Sequence, residues 1–120
     1  MKIVFTTSGT DLKAPLDPRF GRAARFLVFD LDLNDFEVFD NAQNLQAAQG
    51  AGIQAAQTVA KAGATALVTG HCGPKAFRVL SAAGVKIYNT DAATVEEALT
   101  RYRAGQLKEA AGADVEGHWA

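Results

Sequence analysis

Apolar residues fall along this chain in two rhythms, short unbroken runs and helical stripes, and their succession predicts the fold. Lys2-Ile3-Val4-Phe5-Thr6-Thr7 is β-branched and aromatic, which predicts a strand buried on both faces. Arg25-Phe26-Leu27-Val28-Phe29-Asp30 predicts a second strand. Phe36-Glu37-Val38-Phe39-Asp40 alternates apolar with polar and predicts a third, with one wet face. The turn at Leu33-Asn34-Asp35 is short, so these three strands form an antiparallel meander. Residues 51–62 place Ile53, Ala56, Val59 and Ala60 on one stripe and predict a helix opened by Gly50 and Gly52 and stopped at Gly63. Ala66-Leu67-Val68-Thr69 is a fourth strand. Pro74 then suits the first turn of a second helix, whose core face is Ala76, Phe77, Val79 and Leu80 and whose stop is Gly84. Val85-Lys86-Ile87-Tyr88 is the fifth strand. Thr94-Val95-Glu96-Glu97 has the form of a capping box, and Val95, Ala98, Leu99 and Tyr102 continue a third helix to Gly105.

The order β-β-β-α-β-α-β-α predicts a single α/β domain. Right-handed crossovers make the later strands parallel to the first, and the economical sheet is mixed and five-stranded in the order 3-2-1-4-5. Strands 1 and 4 are then neighbours pointing the same way. The long loop 8–24 and the turn Gly70-His71-Cys72-Gly73-Pro74 should meet at the carboxyl edge of the sheet, where open α/β sheets bind ligands. A polar, amide-rich loop is expected at 41–49. The domain is expected to span 1–105, with 106–120 as an extension or tail.

Composition narrows the function without choosing it. A net charge of −1 gives no global pull toward nucleic acid or an anionic membrane, so neither is an expected partner. A single cysteine makes no internal disulfide and fits a reducing, cytoplasmic setting. The chain enters its first strand directly, without a leader pattern, and no apolar stretch approaches the roughly 20 residues of a membrane span.

Chemistry gathers at two stretches. The 70–74 turn presents backbone N–H groups at a helix N-terminus, with the only cysteine and His71 beside them, and suits an anion or a soft metal. One thiolate and one imidazole do not fill a tetrahedral site, so Cys72 as a metal ligand is an open expectation, as is plain backbone geometry for the glycines. Arg19-Phe20-Gly21-Arg22 is a cationic turn around one aromatic ring. Its guanidinium groups suit polyanions, unless they are merely solvated and Phe20 plugs the sheet edge. Cys72 and Arg78 match the Cys-x5-Arg spacing of cysteine phosphatases, but Pro74 lacks an N–H for such a loop and the apolar spacing puts Arg78 on a helix. There is no nucleotide phosphate loop, no dinucleotide fingerprint and no carboxylate on the first strand for a two-metal nuclease site.

Taken in order, Asp17-Pro18-Arg19-Phe20-Gly21-Arg22-Ala23, Gly50-Ala51-Gly52-Ile53, the Gly70-x-x-Gly73-Pro74-x-Ala76 turn and Gly84-Val85-Lys86-Ile87-Tyr88 resemble the dinitrogenase iron–molybdenum cofactor biosynthesis family. That family includes nitrogenase accessory factors and a small carrier of a molybdenum–copper sulfide cluster. The resemblance implies a ribonuclease H-like fold without nuclease chemistry. It also implies a non-enzymatic role in carrying or storing an anionic, molybdenum-containing metal–sulfur cluster. The alternatives for the cofactor are the iron–molybdenum cofactor or an iron–sulfur precursor, and a protein donor or acceptor is implied without being identified. By residue it gives weight to Arg19, Phe20, Gly21, Arg22, Gly70, Gly73 and Pro74. Many members carry asparagine where this chain has Lys75, which adds positive charge. With Ser8 at the end of the first strand, and with His71 and Cys72, these make the expected binding set. Arg19, Arg22 and Lys75 would supply charge, Phe20 an apolar wall and the turn its N–H groups. A phosphatase using Cys72 and Arg78, and a metal-free regulatory interaction domain, are the competing expectations.

Overall fold

A computed structural model describes residues 1–41 and 51–110. Its strands are β1 (Lys2–Thr7), β2 (Arg25–Asp30), β3 (Asp35–Asp40), β4 (Ala66–Thr69) and β5 (Lys86–Asn89), and its helices are α1 (Ala51–Lys61), α2 (Pro74–Ala82) and α3 (Val95–Arg103). They form a mixed five-stranded sheet in the order β3-β2-β1-β4-β5, as the crossover argument requires. β1 pairs antiparallel with β2 and parallel with β4, while β4 and β5 are parallel.

Each strand divides its side chains between two cores, because successive residues point to opposite faces. Val4, Phe26, Val28, Leu67 and Ile87 face α1 and α2. Ile3, Phe5, Leu27, Phe29 and Val68 face α3. From Ile3 to Thr7 every residue of β1 is buried, which is why that run has no polar alternation. β3 does alternate: Phe36 and Val38 pack against the α3-side core, while Glu37 and Phe39 on the other face are exposed.

The helices start and stop for the reasons visible in the chain. Thr94 caps α3 by accepting from the Glu97 N–H (3.1 Å), and Glu97 returns a carboxylate to the Ala93 N–H (2.9 Å). Gly84 ends α2 at φ +79°, a left-handed conformation that an L side chain resists.

Several boundaries differ from expectation: β3 takes in Asp35, expected in the turn, and α1 ends at Lys61. β5 runs one residue later than the apolar pattern suggests, because Asn89 still pairs with Thr69 across the parallel ladder. Residues 106–110, the first part of the segment expected as an extension or tail, pack back on the sheet. Glu109 bridges antiparallel to Tyr88, and the Ala110 N–H donates to the Ile87 carbonyl at 2.7 Å, so this segment lines the outer side of β5. The expected amide loop past Asn41, Gly50 at the opening of α1, and the tail from 111 lie outside the described residues.

Candidate functional site

The site is built from the ends of β1 and β4, which stand side by side. Thr6 and Thr69 are fully buried there, and their hydroxyls hydrogen bond to each other at 2.9 Å. The Thr6 hydroxyl also donates to the Asp17 carbonyl (2.6 Å), and the Asp17 N–H donates back to the Thr6 carbonyl (2.8 Å). Thr7 holds the loop once more, through a bond from its hydroxyl to the Pro15 carbonyl at 2.7 Å. The strand-end threonines therefore pin a loop that has no regular structure until a 3-10 turn at Phe20–Arg22.

Beyond Asp17 the loop meets the turn after β4 by main-chain pairing. The His71 N–H donates to the Pro18 carbonyl at 2.7 Å, and the Phe20 N–H donates to the His71 carbonyl at 3.2 Å. Arg19 and His71 form a parallel bridge. The two stretches are thus stitched edge to edge into one rim. Gly70 makes this contact possible, since a Cβ there would lie 2.7 Å from the Pro18 Cα and carbonyl oxygen. Its own carbonyl accepts from the Asn89 side-chain amide at 3.1 Å.

Along this rim the side chains divide sharply. Arg19 is half exposed and stands 3.9 Å from the Asp17 carboxylate, a loose surface pair of small energetic weight. Arg22 is half-buried in the last turn of the 3-10 segment, and Lys75 is exposed on the first turn of α2; among the described residues neither makes an ion pair. α2 starts at Gly73 without a side-chain cap, with Pro74 in its first turn. The dipole and N–H groups of that terminus are therefore not spent on a capping side chain. Ser8 is exposed, and its carbonyl accepts from the Arg25 guanidinium at 2.8 Å. Gly21 and Gly73 are buried.

Two expected roles need correction. Phe20 is 1% exposed and stacks on Phe26 at 5.8 Å between ring centroids, so it anchors the loop in the core and forms no apolar wall toward a ligand. Cys72 is also 1% exposed and belongs to the same apolar core, with its sulfur 3.7 Å from the Gly73 carbonyl. Among the described residues no group of three His, Cys, Asp or Glu side chains gathers to hold a metal ion. The phosphatase geometry does not form either, because α2 begins at Pro74 and carries Arg78 on its exposed surface while Cys72 is buried.

The crevice at this edge opens elsewhere. The chain leaving β4 turns to the α2 face and the chain leaving β5 turns to the α3 face. Between those departures lies a cleft of about 910 Å³, bounded by Gly70, His71, Asn89 and Thr90 and by residues 106–108. Divergence of neighbouring connections is the switch point at which doubly wound sheets bind ligands. Arg101 on α3 braces the cleft wall: it bonds Asp91 at 2.8 Å, Glu97 at 2.7 Å and the Thr90 hydroxyl at 3.3 Å. The guanidinium hydrogen bond holds the Asp91 carboxyl below its ordinary pKa. Sequence reasoning missed this wall, although Asn89-Thr90-Asp91 was the available signal: a polar end to a strand lying beside β4.

The family model for the dinitrogenase iron–molybdenum cofactor matches residues 1–105. The chain belongs to this family. It is 44% identical to the orange protein of Desulfovibrio gigas, whose apo form superposes with a TM-score of 0.92 over 95% of this chain and 96% of that one. A Thermotoga protein described as a NifB candidate of the DUF35 family is 32% identical, with a TM-score of 0.80 over 90% of this chain and 91% of its own. An uncharacterised protein of Methanocaldococcus jannaschii is 25% identical over 96 residues, 78% of this chain and 80% of that one. The family ties this chain to a metal-cluster cofactor. Among the described residues, no helix is long and apolar enough to cross a membrane.

Proposed function

We propose that this protein carries or stores an anionic, molybdenum-containing metal–sulfur cluster of the molybdenum–copper sulfide type, bound as cargo along the cationic rim without turnover. The observation that carries this reading is the main-chain stitching of Arg19–Arg22 to the Gly70–Lys75 turn. It joins the loop that bears Arg22 to the turn that bears Lys75 and leads into α2, whose start has no side-chain cap; neither side chain makes an ion pair among the described residues. A thiomolybdate-like cluster spreads several negative charges over soft sulfur atoms. Guanidinium, ammonium and backbone N–H donors hold such a surface without a covalent bond. Cys72 and His71 assist at most, and the thiol's burial keeps its part small. An iron–molybdenum cofactor or an iron–sulfur precursor would satisfy the same electrostatics, and metal content separates the three.

The test titrates metal-free protein with thiomolybdate and copper(I) and follows charge-transfer absorbance. Arg22→Ala weakens uptake about tenfold or more, the effect of losing one charged hydrogen-bonding group. Cys72→Ser weakens it less. Complete loss of metal in a folded Cys72→Ser variant contradicts the electrostatic account, because the thiolate would then be the main anchor.

A further inference from the structure

The edge strand β3 carries a second surface, remote from the rim in chemistry. Among the described residues no backbone group pairs with its outer side. The ladder with β2 runs unbroken from Asp35 to Asp40 and continues into a 2.8 Å bond from the Asn41 N–H to the Ala24 carbonyl. Two-residue periodicity then turns the backbone groups of Phe36 and Val38 outward. The Asp35 carboxylate accepts from the Phe36 N–H at 2.8 Å. Among the described residues, the Phe36 carbonyl and both backbone groups of Val38 remain without a ladder partner and form the outward rail. Natural edge strands are guarded by charged side chains, proline or a bulge; β3 has no proline and no bulge, and its charges are all carboxylates.

Its charge is one-sided. No lysine or arginine occurs between Arg25 and Lys61, whereas Asp30, Asp32, Asp35, Glu37 and Asp40 all fall in that interval. The basic groups nearby are fewer than these carboxylates: the Met1 amino group pairs with Asp32, Lys2 lies with Asp30, Asp35 and Glu37, and Arg25 and Arg103 bond neutral oxygens, the Ser8 carbonyl (2.8 Å) and the Asn34 side chain (2.9 Å). Exposed apolar surface collects at the same place. The large hydrophobic residues exposed among those described are Leu33 (74%) and Phe39 (39%) in this hairpin, and Met1 (47%), whose amino group pairs with Asp32 in its turn.

We infer that the outer edge of β3 is a docking rail for an extended, lysine- or arginine-rich segment of a partner protein, which joins the sheet as a sixth strand. Strand addition draws affinity from main-chain hydrogen bonds and specificity from alternating side chains. Here the alternate positions ask for cations opposite Asp35 and Glu37 and for an apolar residue against Phe39. A second copy of this chain fits poorly, since it brings another acidic row against the first. The inference stands apart from cluster binding.

The test uses a short peptide of alternating lysine and valine, with an alternating glutamate and valine peptide as control, and reads affinity by fluorescence anisotropy and amide exchange by NMR. The lysine peptide binds, binding weakens with salt, and the Val38 amide becomes slow to exchange. Val38→Pro removes the outward N–H without touching the β2 ladder and lowers affinity about tenfold or more. Glu37→Lys does the same by charge and covers the case in which the proline variant does not fold. Equal binding of both peptides, undiminished binding in a folded variant, or a wild-type dimer that Val38→Pro dissociates overturns the inference; the last assigns the edge to a second copy.

Discussion

Gly70→Ala lowers the unfolding free energy by about 3 kcal/mol and abolishes cluster uptake at concentrations that saturate the wild type. The added methyl meets the Pro18 Cα and carbonyl oxygen at 2.7 Å and the Pro18 Cβ at 2.8 Å. Two of those atoms are main chain, so no side-chain rotation relieves the clash. Relief requires the loop to withdraw from the turn, and withdrawal breaks the bonds from His71 to Pro18 and from Phe20 to His71. Overpacking and two lost hydrogen bonds together give the stated size. Urea unfolding followed by circular dichroism measures it, with the slope checked for constancy so that the midpoint reports stability. A change within about 0.5 kcal/mol would mean the two segments are not in contact.

Phe20→Ala costs about 3–5 kcal/mol, the range for deleting a buried phenylalanine ring. The ring is 1% exposed, stacks on Phe26 and belongs to the core shared by α1 and α2. A ring lining an open site would cost far less, within about 0.5 kcal/mol, so the same unfolding experiment separates anchor from wall. Uptake falls too, because the ring holds the 3-10 turn that bears Arg22. Phe20→Leu, which keeps most of the volume, restores the larger part of both. If Phe20→Leu restored stability but not uptake, the aromatic face itself would be a contact to the guest.

How far these features could be read in the chain depends on how much each owes to local pattern. Strand order was legible because unbroken apolar runs, one alternating run and two crossover helices leave few sheets that bury everything. Convergence of the 8–24 loop with the 70–74 turn followed from that order alone. Phe20 was legible only as an alternative between wall and plug: a single aromatic between arginines has no period, and its burial is decided by Phe26 across the sheet face. Gly70 and Gly73 look alike in sequence, yet it is Gly70 that Pro18 approaches within contact distance. The docking of 106–110 on β5 was invisible for a related reason, since Gln106-Leu107-Lys108-Glu109-Ala110 alternates in neither rhythm. The cleft wall at Asn89–Asp91 was within reach, because the predicted order already set β5 beside β4.

The rim is assembled by backbone bonds and guarded by buried threonines, whereas Arg22 and Lys75 make no ion pair among the described residues. That separation of scaffold from charge is what a carrier of a preformed anion needs, because the site is set before the guest arrives. The most direct measurement is a visible spectrum with elemental analysis of the protein isolated from its own source, where the machinery that makes the cluster is present. The account predicts strong visible absorption with molybdenum bound in fixed ratio to protein, released by high salt while the fold persists. Colourless protein with no molybdenum, copper or iron, recovered with the rim intact, would contradict it.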